Sequence, residues 1–317
     1  MTRNSTSVAT PTALLSLGAL LLSACASSPG GAEDTPDEAS SPGAPVVLTT
    51  FTVLQDIVSE VGGDRVEVRS IAPPGAEVHE YDPTPSDVRD AEEADLIIAN
   101  GLGLEAGLEQ FLAQSQAPTI SVAEDVDPLP VTRLPDHPDA DTEMPVNPHA
   151  WMSPQQGMHY VDAVEAALIE LSEEDAEHFS ENARSLRDQL EQLGTEARER
   201  VEGLEDLHLV TCEGAFSYLA EDLGIGEHYL WPLNADSEGS PQQVEAQIRY
   251  VQDHEVETIF CESTVDDSAQ QQVAEASGAE LGDPLYVDSL TEGDGPVPTY
   301  LELLQHDIDL LLEDVEP

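Results

Sequence analysis

The chain has 317 residues, 40% of them hydrophobic and 24% charged, with a formal net charge of −55 at pH 7. Its 10 basic residues are all arginine; there is no lysine. That balance excludes nucleic acid as a partner, because a phosphate backbone is bound through a cationic face that releases its counterions.

Arg3 is the one charged side chain ahead of an apolar run, Ala13 to Ala24, read ALLSLGALLLSA. The run falls short of the ~20 residues a membrane-spanning helix needs and reads as a secretory signal over 1–24. It ends in Leu22-Ser23-Ala24-Cys25, which resembles a bacterial lipobox. The expectation is cleavage before Cys25, lipid on that cysteine, and a protein held on the outer face of the cell membrane. Residues 26–45 are almost entirely Pro, Gly, Ser, Ala and acid, a composition that cannot pack and acts as a flexible tether. Twenty such residues span on the order of 25 Å.

From 46 to 171 β-like and helical stretches alternate. VVLTTFT (46–52) leads into the helical pattern LQDIVSEVGG, and VEVRSIA (66–72) is a second strand. Pro85-Ser86-Asp87 opens a helix over 85–94, then DLIIAN (95–100) and TISV (119–122) read as strands. Strands interleaved with helices predict a parallel sheet covered on both faces. Residues 172–205 differ. Ser172 with Asp175 has the spacing of a capping box. Phe179, Ala183, Leu186, Leu190 and Leu193 then form a narrow apolar stripe at helical spacing. The prediction is one long rigid helix joining two α/β lobes, with Gly194 its mild weak point. In the second lobe, 206–317, the strand candidates are DLHLVTC, EHYLWPL, VETIFC and PLYVD (284–288). Ser240-Pro241-Gln242-Gln243 is a helix opening, and 298–313 reads as a final helix. Cys212 and Cys261 each end a β-like run; buried thiols are the expectation, with a disulfide open to them in an oxidising compartment.

His79, His149, Glu213 and Asp288 lie 70, 64 and 75 positions apart. Each sits in or just after a turn that follows a β-like run, where open parallel sheets bind ligands. Two imidazoles and two carboxylates complete a four-ligand shell and cancel a 2+ charge. Glu262 competes with Asp288 for the fourth place. Glu80 and Asp82 read as turn formers, and Trp151 as packing beside the site. His137, His159, His178, His208, His228, His254 and His306 carry no ligand signal of their own. Gly101, Gly103 and Gly107 imitate a dinucleotide loop, but the last glycine comes one residue too late.

The strings GAEVHEYDPTPSD, NPHAWMSP, CEGAFSYLAEDLG, NADSEGSP, FCESTVDD and DSL resemble, in order, those of the metal-binding solute-binding lipoproteins of ATP-driven manganese, zinc and iron importers. The resemblance runs from about Val46 to Glu313. It implies that His79, His149, Glu213 and Asp288 hold one divalent ion between two lobes joined by a long helix. It also implies delivery to a membrane permease, with no catalysis. Glu213 stands where zinc-type members usually carry histidine, and the loop before the second ligand holds only His137. Both features, with NADSEGSP, resemble the manganese/iron branch, so Mn²⁺ is favoured over Fe²⁺ and Zn²⁺, although Zn²⁺ ranks above Mn²⁺ in the Irving–Williams order. Asn147 departs from the family's usual aspartate before Pro-His. A metal-dependent hydrolase is the competing enzyme reading, but no HExxH or GxSxG string is present. A surface adhesin with a structural ion is the third reading. The expectation for assembly is a monomer.

Self-repulsion at this net charge strains a compact state, so the expectation is a protein built for high salt, where the Debye length falls to ~3 Å at 1 M. Melting at low and at high NaCl checks this. A marked rise in melting temperature with salt is expected, and equal stability in both contradicts it.

Overall fold

The computed structural model describes residues 43–79, 81–134, 143–204, 206–233 and 239–313. The signal, Cys25 and the tether up to residue 42, together with Glu80, His137 and residues 234–238 of NADSEGSP, lie outside the described residues. Among the described residues no helix is long and apolar enough to cross a membrane.

The first lobe is a four-stranded parallel sheet in the order β2-β1-β3-β4, from β1 (Val46–Thr49), β2 (Glu67–Ser70), β3 (Leu96–Ala99) and β4 (Thr119–Ser121). Alternation along the strands sends Val47 and Ile98 to one face and Leu48 and Ile97 to the other, and both faces are buried. Helix α1 (Thr52–Gly62) covers the first face through Val53, Leu54, Ile57 and Val61, while α2 (Pro85–Glu93) and α3 (Glu109–Leu112) follow β2 and β3. The α2 start is capped reciprocally by Thr84 and Asp87.

A helix absent from the expectations, α4 (Pro154–Leu171), packs against the long helix α5 (Ala176–Val201). Its start was readable: Ser153 accepts from Gln156 N and proline takes the first turn. At 26 residues α5 spans ~39 Å, and the predicted stripe from Phe179 to Leu193 is buried along it. Ser172 and Asp175 do not form a capping box. Their side chains bond each other at 2.7 Å across a short 3₁₀ turn, and α5 begins after it. Gly194 marks a close pass between helices, since a Cβ there would stand 3.2 Å from Pro154 Cβ.

The second lobe holds two short parallel pairs. One is β5 (His208–Glu213) with β6 (Gly226–Trp231), and the other β7 (Thr258–Ile259) with β8 (Glu280–Leu281). Phe260 N donates to Val210 O at 2.8 Å and ties the pairs together. Helices α6 (Ser217–Leu223), α7 (Pro241–Asp253), α8 (Ser268–Ser277) and α9 (Tyr300–Leu312) complete it. The capping box of α7 is formed as predicted, with Gln243 N to Ser240 Oγ at 3.3 Å and Ser240 N to Gln243 Oε1 at 2.8 Å. PLYVD is not a strand. Leu285 makes one bridge to Glu262, then Tyr286 N turns to Asp307 Oδ1 at 3.0 Å, so a side chain and not a neighbouring strand takes that donor. The paired strand lies earlier, at β8. Cys212 and Cys261 are buried, as expected, but joined: their Cα atoms are 4.9 Å apart and the sulfurs form a disulfide across β5 and the end of β7.

The lobes share a core. The largest apolar cluster runs from Val47 and α1 through α4 and α5 to Phe216, Leu285 and α9. One polar joint within it has a measurable pH signature. Asp56 on α1 accepts from Tyr300 N, the first residue of α9, at 2.8 Å. Burial pushes its carboxyl up from 3.8 to about 7, against the pull of that hydrogen bond, and Glu60 and Glu302 push the same way. The folded state therefore holds this proton more tightly than the unfolded chain. The joint's stability is full below the unfolded value, falls as pH rises from about 4 to about 7, and stays low above that. Asp56→Asn should match wild type near pH 4 and exceed it by roughly 2–4 kcal/mol near pH 8 in urea unfolding. A difference that does not change across that range contradicts the assignment.

Candidate metal centre

Each of the four candidate side chains stands where a chain segment leaves regular structure between the lobes. His79 lies in the loop after β2, His149 caps a 3₁₀ turn (Ala150–Met152) just ahead of α4, Glu213 ends β5, and Asp288 follows the Leu285 bridge. The fold brings all four together: one ligand-type atom from each lies within 4.8 Å of every other. The Nε2 atoms of His79 and His149 are 3.1 Å apart, His79 Nε2 is 3.8 Å from Glu213 Oε1, and His149 Nε2 is 3.6 Å from Asp288 Oδ1. Ligand bonds of ~2.1 Å in a tetrahedral shell separate ligand atoms by ~3.4 Å, and the observed distances bracket that value. The side chains are 5%, 0%, 3% and 2% exposed in the same order.

The protonation states of the two histidines match this donor set. Burial lowers the proton affinity of His79, with Glu77 opposing, and lowers that of His149 much further, with His79 adding to the effect. Both imidazoles are thereby held neutral, the form that ligates. Burial, then the charges of Glu77 and Glu213, raise the Asp288 carboxyl well above the ordinary carboxylate range. Among the described residues no hydrogen-bond donor reaches Asp288 Oδ1, although the atom is buried. A buried oxygen in that state is costly unless a cation meets it.

The surrounding shell orients the four. Asn147 Oδ1 accepts from His149 N at 3.0 Å and faces His149 Nδ1 at 2.8 Å, which leaves Nε2 pointing at the other three. Trp151, buried as expected, donates through Nε1 to Val287 O at 3.0 Å, and its ring lies 5.1 Å from the His149 ring. Glu262 does not join the cluster. Its carboxyl accepts from Glu213 N at 3.2 and 3.3 Å and is pushed by burial up to about 8. Of the two rivals for the fourth place, Asp288 converges with the other three and Glu262 does not. Gly214 has a reason beside Glu213: a Cβ there would lie 2.7 Å from Val131 Cγ1 and 2.8 Å from Pro232 O. Asp82 is exposed, and His159, His178, His208, His228, His254 and His306 fall outside the cluster. Sequence reasoning missed Glu77, which accepts from His79 N at 2.9 Å and from Thr264 Oγ1 at 3.4 Å. A carboxylate two residues ahead of a candidate ligand histidine was the available signal.

A family model described as zinc-uptake complex component A, periplasmic, matches residues 47–313. The iron-binding protein YfeA of Yersinia pestis is 42% identical over 268 residues, 84% of this chain and 84% of that protein. The manganese ABC transporter substrate-binding lipoprotein PsaA of Streptococcus anginosus is 29% identical over 310 residues, 95% of this chain and 96% of its own length. The solved structure of the Mn-bound periplasmic metal-binding protein of Candidatus Liberibacter asiaticus superposes with a TM-score of 0.77 at 33% identity, covering 85% of this chain and 98% of that one. Two lobes with parallel sheets and a long joining helix agree with these matches, and the chain belongs to the periplasmic zinc-uptake component A (ZnuA) family.

Proposed function

We propose that this protein captures one divalent transition-metal ion between its lobes, through His79, His149, Glu213 and Asp288, and delivers it to the membrane permease of an ABC importer. The observation that carries the reading is the convergence of two neutral imidazoles and two carboxylates, with Asp288 Oδ1 lacking any protein donor among the described residues. Mn²⁺ is the favoured cargo. Carboxylate oxygen at Glu213 suits a hard ion better than a third imidazole, and two of the similar proteins are named for manganese. Fe²⁺, after YfeA, and Zn²⁺, after the family model, are the alternatives. The ion is substrate and not a resident cofactor. Four protein ligands leave little room for a reacting water, which argues against the hydrolase reading.

The same reading places lipid on Cys25, a tether to residue 45, lobes at 46–171 and 206–317 around a linking segment at 172–205, and a monomer on the extracytoplasmic face. PsaA's description as a lipoprotein supports the anchor. The acidic composition fits work in high salt, where loose surface binding of cations is screened.

Competition titration of metal-free protein with Mn²⁺, Fe²⁺ and Zn²⁺ in high monovalent salt, beside elemental analysis of protein taken from its native envelope, tests the assignment. One ion per chain is expected. Zn²⁺ should bind at least as tightly as Mn²⁺ in vitro, while manganese or iron is recovered from the native protein. Native protein carrying no transition metal contradicts the function, and native protein carrying only zinc contradicts the preference.

A further inference from the structure

We propose that Asn147 is a positioning residue that couples the two lobes through the metal site, by accepting from one ligand residue and donating to the segment that carries another. This rests on the metal-binding reading above and goes beyond it. Asn147 is 0% exposed. Its Oδ1 takes both donors of His149, the main-chain N at 3.0 Å and Nδ1 at 2.8 Å, on the first-lobe side. Its Nδ2 gives both hydrogens to the second lobe, to Gly214 O at 2.8 Å and Ser217 Oγ at 3.1 Å. Gly214 follows Glu213 directly, so one side chain spans from the His149 ligand to the Glu213 ligand. The main-chain ends of residue 147 extend the joint: Asn147 O accepts from Tyr218 OH at 2.9 Å, and Asn147 N donates to Leu129 O at 2.8 Å.

Only an amide can make this set of bonds. The His149 side demands an acceptor and the Gly214 side a donor. A carboxylate of the same shape keeps the first and loses the second, leaving an anion against the Gly214 carbonyl. The two possible roles of residue 147 therefore predict opposite signs. If the residue served only His149, a carboxylate would strengthen the imidazole as a ligand and hold metal longer. As a strut between the lobes, the amide slows their separation, and its loss speeds release.

The test is stopped-flow release of Mn²⁺ to excess chelator, in high salt, from the full chain and from Asn147→Asp, with metal-free melting of both. The coupling role predicts release at least about tenfold faster in Asn147→Asp, from the loss of two buried hydrogen bonds, with the association rate nearly unchanged. Release equal to or slower than wild type overturns it. Wild-type protein that binds no Mn²⁺ overturns the functional reading itself, which separates the two failures. If Asn147→Asp does not fold, ¹⁵N NMR of the metal-free wild type decides. His149 protonated at Nδ1 and Asn147 side-chain amide protons shielded from exchange support the strut. A His149 protonated at Nε2, or freely exchanging amide protons, overturns it.

Discussion

Glu213→Ala and His149→Ala should each lose most of the melting-temperature gain that Mn²⁺ or Zn²⁺ confers on the metal-free wild type. A ligand at 100 times its dissociation constant adds ~2.7 kcal/mol to the folded state. For a protein of this size that is on the order of 5–10 °C. Removing Glu213 takes away an anion that lies 3.8 Å from His79 Nε2, so the shell keeps three ligands and one negative charge against two positive. Removing His149 also takes the ring Nδ1 partner away from Asn147 Oδ1, which keeps only the main-chain N of residue 149. In neither case should the metal-free protein suffer comparably. Burying a carboxylate or an imidazole without the ion is itself unfavourable, and His149 is held far from its charged form by that burial. The loss is thus specific to the loaded state. A full response to metal in either variant, measured by thermal scanning at high salt, removes that residue from the site.

Trp151→Phe should destabilise the metal-free protein by about 2–4 kcal/mol and weaken metal binding as well. The indole is 0% exposed and packs against Phe51, with ring centroids 4.9 Å apart, and against His149. Its Nε1 is the donor to Val287 O, and phenylalanine leaves that buried carbonyl without it. Val287 adjoins Asp288, so the unmet acceptor lies one residue from a proposed ligand. The Trp151 main chain adds a second link, accepting from Tyr300 OH at 2.5 Å, while a Cβ on Gly157 would sit 2.3 Å from that hydroxyl. One residue thus joins the His149 turn, the Asp288 segment and α9. Val88→Ala on α2, at a position 45% exposed, is the control and should stay within about 0.5 kcal/mol of wild type. Urea unfolding of both variants is the measurement; a Trp151 variant as stable as the control contradicts the joint.

Much of this arrangement was readable because the relevant residues announce themselves locally. Strands β1 and β3 are short, buried apolar runs between turn residues, and such parallel strands need no alternation to be found, whereas β2 alternates and β4 is partly exposed. The stripe on α5 keeps helical spacing through five buried side chains. His79, His149 and Glu213 lie in long distinctive strings, whereas Asp288 is marked by three residues only. What escaped is set by contacts far apart in sequence. PLYVD has strand composition, yet Asp307 draws Tyr286 N away from the sheet. The disulfide depends on β5 and β7 lying side by side, which spacing alone does not encode. The two-sided role of Asn147 appears only when Gly214, 67 positions away, is brought to its amide.

The most direct test of a shared four-residue site is an anomalous-difference map from crystals of the protein grown with Mn²⁺. The account predicts one strong peak per chain, about 2.0–2.3 Å from His79 Nε2, His149 Nε2 and a carboxylate oxygen of both Glu213 and Asp288. A peak that leaves any two of these side chains uncoordinated, or one bound elsewhere with this site empty, would contradict it.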